Sequence, residues 1–212
     1  MSFSLESVGM KEGGRYETVY TTMNEAGEMN AASIGVKVFG DYDIAARIFE
    51  GSTTLKNIQD TKIFVVNIIQ DPSVFARATF GNLEENEFVR DDDICYLKNA
   101  DAYFIALVKS IEELEAEADH VNEGEKSYII KAEPLKIIIE RQGAKAINRG
   151  FYAYLESLVD YTRVDKIDED KKAEYAKRFK ENERLVERVG EKEVKESMAL
   201  LKEKMIEKGL DL

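Results

Sequence analysis

Phe49 to Val66 reads FEGSTTLKNIQDTKIFVV, and the order of its residue types decides how the first part of the chain is read. Gly51 is free to take a positive φ, so an incoming strand can turn sharply there. Ser52, Thr53 and Thr54 follow, and each carries a hydroxyl able to cap the first free N–H groups of a helix. Leu55 to Gln59 predicts a turn or two of helix. Ile63, Phe64, Val65 and Val66 form the continuous apolar run of a buried strand. A helix start lined by hydroxyls also attracts anions, because its unpaired N–H groups and the positive end of its dipole coincide. Two readings stay open from these residues: a phosphate cradle, and an ordinary capped helix between two strands.

Upstream, Asn30 to Val38 reads NAASIGVKV. Together the two segments resemble the flavin-reductase-like, FMN-binding split β-barrel family. There an N-x-A-P-x-S-like strand precedes a T-x-x-N-I segment and an apolar strand ending in V-N. The matching residues are Asn30, Ala32 and Ser33, then Thr54, Asn57 and Ile58, then Phe64, Val65, Val66 and Asn67. Ser33 stands where the pattern has proline, and Gly35 where it has serine. The order of the segments is most similar to an archaeal branch of that family, which adds a helical C-terminal domain with an N-R…E-x-x-V…T-R signature. Asn148, Arg149, Glu156, Val159, Thr162 and Arg163 supply that signature here.

The resemblance implies an α+β chain: a split β-barrel of the FMN-binding type, then a small helical domain. It implies FMN as cofactor and a homodimer with the flavin at the subunit interface. It also implies that Arg149, with Thr162 and Arg163, lines the cavity from the helical domain; the other reading of these residues is capping or ion pairing. For the phosphate, Ser52, Thr53 and Thr54 offer hydroxyl and backbone donors, and Asn57 lies about one turn on. Arg47 is close in sequence and suits a charge-assisted phosphate contact; a surface ion pair is the equal alternative. Ala31, Ala32, Ser33 and Gly35, with Ile34 among them, would let the backbone approach a flat ring, or are small because another element packs there. No nucleophile or acid–base pair stands out, so the catalytic residues are unassigned. Two roles stay open: a flavin-dependent oxidoreductase acting on a small molecule, with a nicotinamide cofactor as partner, and a non-enzymatic flavin- or heterocycle-binding or dimeric assembly module. The chain has no G-x-G-x-x-G fingerprint of tight dinucleotide binding.

Composition narrows the field. At 212 residues, 44% hydrophobic and 34% charged, the chain can bury a core and is not disordered. Its net charge of −12 opposes nucleic-acid binding, which rests on neutralising phosphates with Lys and Arg. With one cysteine and one histidine, no zinc or haem site is expected, nor an internal disulfide. Cys95 is expected to be buried and structural, and His120 to sit in an acidic surface loop. The start, MSFSLESVGM, has neither a basic region nor a long apolar core, and no run approaches the roughly 20 apolar residues of a membrane span. A cytoplasmic protein is expected.

Further elements follow from periodicity. Tyr16–Met23, Asn30–Phe39, Ile44–Glu50, Lys62–Ile69 and Ala102–Val108 predict strands, with turns at Asn24–Met29 and Gly40–Asp43. Ser73–Thr79 predicts a short helix capped by Asp71 or Ser73. The acidic stretch Leu83–Asp93 lacks the ligand spacing of a calcium loop and is expected to be a solvated loop. Lys109–His120 suits a helix or a charged strand edge, and Lys126–Glu140 one or two strands kinked at Pro134. Many short strands argue for a barrel or a sandwich. From Gly143 the pattern turns helical, which puts the domains at 1–142 and 143–212. Ala144, Ile147, Phe151, Leu155 and Leu158 recur at helical spacing. Ala176, Phe179, Val186 and Val189 form a second buried stripe, and Val194, Met198, Leu201 and Met205 a third.

Overall fold

Apolar residues at every second position, and on both faces where a second layer covers the strand, build six strands that close on themselves. They are β1 (Arg15–Met23), β2 (Met29–Phe39), β3 (Asp43–Phe49), β4 (Ile63–Ile68), and, after a two-stranded insertion, β7 (Ala102–Leu114) and β8 (Ser127–Ile139). The insertion is the hairpin β5 (Phe88–Asp91) and β6 (Ile94–Leu97). The computed structural model describes residues 4–39, 43–114 and 126–212. The expected turn at Gly40, Asp41 and Tyr42, and the loop holding His120, lie outside those residues. The barrel order is β1-β2-β3-β8-β7-β4, with β4 returning antiparallel to β1. Closure gives each of the six barrel strands a neighbour on both sides.

Inside the barrel lie Tyr16, Tyr20, Val36, Val38, Ile44, Phe64, Val66, Phe104 and Ile130. Tyr20 stacks on Phe64 with ring centroids 4.8 Å apart. Its hydroxyl is buried without a hydrogen-bond partner among the described residues, and burial raises its pKa. A second apolar layer covers the outside of β1. Val19, Met23 and Ala31 meet Val74 and Ala78 of helix α2 (Pro72–Phe80) and Phe88, Cys95 and Leu97 of the hairpin. β1 is therefore buried on both faces from Thr18 onward, and Glu17 before it is partly covered.

The stretch that opened the sequence folds as expected and extends further. Gly51 has φ +79°, and helix α1 runs Thr53–Thr61, beyond the predicted Gln59. Pro134 sits in β8 opposite Ala106, beside a register shift that leaves Leu135 unpaired with β7. A missing N–H is tolerated at such a bulge. The segment after Val108 is a strand edge, since β7 continues to Leu114.

Two expectations are corrected. Leu83–Asp93 is not simply a solvated loop: Glu85–Glu87 form a 3-10 turn, and β5 starts at Phe88 with that side chain in the outer core. The dense carboxylates concealed a short half-buried strand. The helical stripe from Ala144 is also displaced. Ala144 joins the barrel core, Ile147 bridges Glu17, and helix α3 begins at Arg149 (Arg149–Tyr161).

The chain forms two compact units that divide between Ile147 and Asn148, the short segment Gly13–Arg15 grouping with the second. The second unit holds α3, α4 (Glu169–Val189) and α5 (Lys192–Glu207). Its core joins Ala176, Phe179 and Val186 to Val194, Met198, Leu201 and Met205. α3 buries Gly150, Ala153, Ser157 and Asp160, while Phe151 and Leu155 face outward. The reason is close approach: a Cβ on Gly150 would lie 2.8 Å from the Cα of Gly190, so α3 turns its small residues toward that helix junction. Buried Asp160 is gripped by the guanidinium of Arg178, whose Nε donates at 2.6 Å. Asn182 donates to buried Ser157 at 3.0 Å.

Candidate functional site

The start of α1 is a capped helix N-terminus beside a cleft. Ser52 caps the helix: its Oγ accepts from the Leu55 N–H at 3.2 Å and donates to the Phe49 carbonyl at 2.9 Å. The N–H groups of Thr53 and Thr54 have no acceptor among the described residues, as the first turn of a helix requires. Thr53 faces a cleft of about 230 Å³ lined also by Glu50, Gly51, Ser52, Leu55, Lys56, Gln59 and Tyr128, while Thr54 is buried and does not line it. Lys56 is exposed there and has no ion-pair partner among the described residues. Glu50 puts one carboxylate on the same rim, 3.4 Å from the Tyr128 hydroxyl. Burial, then the carboxylates of Glu113 and Glu50, push the Tyr128 phenol upward, so it stays a donor at neutral pH.

Side chains from the neighbouring strands hold this helix. Asn30 of β2 donates from Nδ2 to Thr54 Oγ1 at 3.0 Å. Asn57, 2% exposed, donates from Nδ2 to Thr22 Oγ1 of β1 at 3.0 Å. The two sequence motifs thus meet in space: Asn30 touches Thr54, and Asn57 points into the protein rather than toward the cleft. Ser33 donates to the Phe75 carbonyl of α2 at 2.9 Å, and the Ala31 N–H is taken by Asn82 Oδ1 at 3.0 Å. Ala31 and Ser33 are therefore covered by the α2 region, and small residues are needed there so that α2 can pack. Ala32 and Ile34 are partly covered, with Ile34 against the barrel core, and Gly35 is exposed. Arg47 lies on the outer face of β3, its Nε on Ser127 Oγ at 2.9 Å and its guanidinium 5.1 Å from the Phe49 ring centre. Arg149 is the first residue of α3, in the helical unit. In that unit Asn148 caps α3 through Oδ1, which accepts from Phe151 N–H, and donates to the Val189 carbonyl at 3.0 Å. Thr162 ends the helix, donating to Val159 O at 2.7 Å.

Sequence reasoning missed Thr22, Glu50, Lys56, Gln59, Asn82 and Tyr128. Lys56 and Gln59 carried a usable signal, being on the helix face next to the cap. Tyr128 and Thr22 carried none, since pairing across the barrel brings them in. Cys95 is buried, and burial pushes its thiol up to about 12, against the weaker opposing pull of hydrogen bonds. It is no nucleophile at neutral pH. No helix among the described residues is long and apolar enough to cross a membrane.

A family model described as "protein of unknown function (DUF447) N-terminal domain" matches residues 16–141, and a second DUF447 model matches residues 148–203. The chain belongs to the DUF447 family. An FMN-bound protein of that family from Methanosarcina mazei is 30% identical, over 94% of this chain and 99% of that one, with a TM-score of 0.54. Nitrilotriacetate monooxygenase component B from Bacillus cereus is 12% identical, with a TM-score of 0.51 over 69% of this chain and 84% of that one. At that identity it speaks to fold alone. The α+β architecture expected of a split barrel followed by helices is the one observed.

Proposed function

We propose that this chain is an FMN-binding flavoprotein that holds the flavin's phosphate at the start of α1. The observation that carries the reading is the conjunction of an FMN-bound relative, 30% identical along nearly the whole chain, with a cleft whose donors suit a phosphate. The residues fit the group. Thr53 offers an N–H and a hydroxyl without partners among the described residues, and Lys56 a positive charge. Glu50 works against a second negative charge on the same rim, which favours a single phosphate. Ala32 and Gly35 leave the β2 backbone thinly covered, and Arg47 keeps its terminal amino groups unused among the described residues. When bound, FMN supplies hydride and single-electron chemistry, while the protein binds and orients it.

The finer reading is a homodimeric oxidoreductase that takes electrons from a nicotinamide cofactor and acts on a small molecule. Support for a second copy comes from the exposed apolar residues Leu107 and Leu135 on the neighbouring strands β7 and β8. The test starts with an absorbance spectrum of the purified protein from about 300 to 550 nm, in the range of flavin cofactors, and a mass of the heat-released small molecule. Twin visible bands and the mass of FMN are the expected result. A colourless protein that also fails to take up added FMN overturns the reading. Oxidation of NADH or NADPH by the holoprotein then supports the oxidoreductase, and a holoprotein inert to both leaves a binding module.

A further inference from the structure

The residues that secure α1 are as specific as those that line its cleft. Three side-chain bonds tie the helix start to different strands. Ser52 reaches back to Phe49 of β3, Asn30 of β2 reaches Thr54, and Asn57 reaches Thr22 of β1. The last of these is the most isolated from ligand. Thr22 is 1% exposed and Asn57 2%, and neither lines the cleft. A buried amide and hydroxyl are costly unless paired, and the neighbouring buried side chains of that helix, Leu55 and Ile58, are apolar. Asn57 occupies the middle of the short helix, one turn beyond the free N–H group of Thr53.

Resting on the FMN reading above, we infer that Thr22 and Asn57 are positioning residues for the flavin's phosphate: their buried hydrogen bond fixes the rotation and height of α1 so that the N–H and hydroxyl of Thr53 are presented to the cleft. The physical case is preorganisation. Free donors that already stand in the bound geometry spare the ligand the cost of ordering them. A helix of two and a half turns packed on one face by Leu55 and Ile58 can rock about that apolar line. A directional bond to β1 removes this freedom, where apolar packing alone is non-directional. Because the strut touches no ligand, its effect is confined to the phosphate end. The flavin ring should not register its loss.

FMN and riboflavin differ only in that phosphate, so the pair of ligands reads the strut directly. Dissociation constants for both are measured by quenching of flavin fluorescence on wild type, Thr22→Val, the double variant Thr22→Val/Asn57→Leu, and Thr22→Ser, with thermal melts alongside. The double variant guards against misfolding, since replacing both polar partners leaves no orphaned group in the core. The expected result is a loss of about fivefold to tenfold in FMN affinity for Thr22→Val and the double variant, the size that one net hydrogen bond carries. Riboflavin affinity stays unchanged, and Thr22→Ser, which keeps the hydroxyl, binds FMN as wild type does. Equal losses for both flavins, or a fall in melting temperature with no change in the FMN-to-riboflavin ratio, overturn the positioning role. Wild type that binds neither flavin overturns the cofactor reading and the strut with it.

Discussion

Thr53→Ala separates binding from stability at the cleft. Thr53 is the first residue of α1, exposed, with a hydroxyl that has no protein partner among the described residues. Losing that hydroxyl removes nothing from the fold, and alanine is the better helix former by a few tenths of a kcal/mol. The melting temperature is therefore expected to hold or rise slightly. Toward a phosphate the hydroxyl would make a hydrogen bond to a charged group, about 1.5–3 kcal/mol, which is roughly tenfold to a hundredfold in affinity. Ser52→Ala is the contrast. Ser52 Oγ satisfies Leu55 N–H and donates to Phe49 O, so its removal costs about 1 kcal/mol of cap energy. For a chain of this size that is a fall of about 2–4 °C. Flavin fluorescence titrations and thermal melts on both variants and wild type read the two effects separately. If Thr53→Ala binds FMN as tightly as wild type, the phosphate is not at the start of α1. A large drop in its melting temperature would show instead that Thr53 is structural.

Three other outcomes follow from the packing. Arg178→Met leaves the buried Asp160 carboxylate without its guanidinium. Urea unfolding should show a loss of about 2 kcal/mol in the helical unit, less than the 3–5 of a fully enclosed pair because the Arg178 side chain is 49% exposed. Gly150→Ala puts a methyl 2.8 Å from the Gly190 Cα, where backbone must move, and should cost about 1–3 kcal/mol by the same assay; an unchanged midpoint would mean that the junction is loose. Cys95 carries a pH signature. Its folded thiol is raised from 9.0 to about 12, so the folded state holds that proton when the unfolded state has lost it. The stability it contributes is complete below about pH 9 and lost as pH rises toward 12. Melts of Cys95→Ala across that window should decline less steeply than wild type, and parallel slopes would refute the burial argument.

Much of the fold was legible because short-range chemistry dictated it. Gly51 took its positive φ, Ser52 its cap, and Ile63 to Val66 their buried strand, each from a local preference that packing did not oppose. The stripes Ala176, Phe179, Val186, Val189 and Val194, Met198, Leu201, Met205 are buried as their spacing predicts. The helix around Phe151 and Leu155 was misoriented because periodicity marks an apolar face without saying what covers it. Contact between Gly150 and Gly190 turned the small face inward instead. β5 went unseen because a four-residue strand among carboxylates has too few positions to show alternation.

The sequence by itself determined most of the strand, turn and helix order, the hydroxyl-lined start of α1, and a barrel followed by helices. These rest on φ preferences, caps and periodicity, all of them properties of neighbouring residues. Only the tertiary structure decided which groups share the site. Barrel closure brought Tyr128 of β8 to the cleft, set Asn30 of β2 on Thr54, and turned Asn57 inward to Thr22 of β1. Those pairings depend on strand register between distant segments, and register is set by the core that the whole barrel encloses.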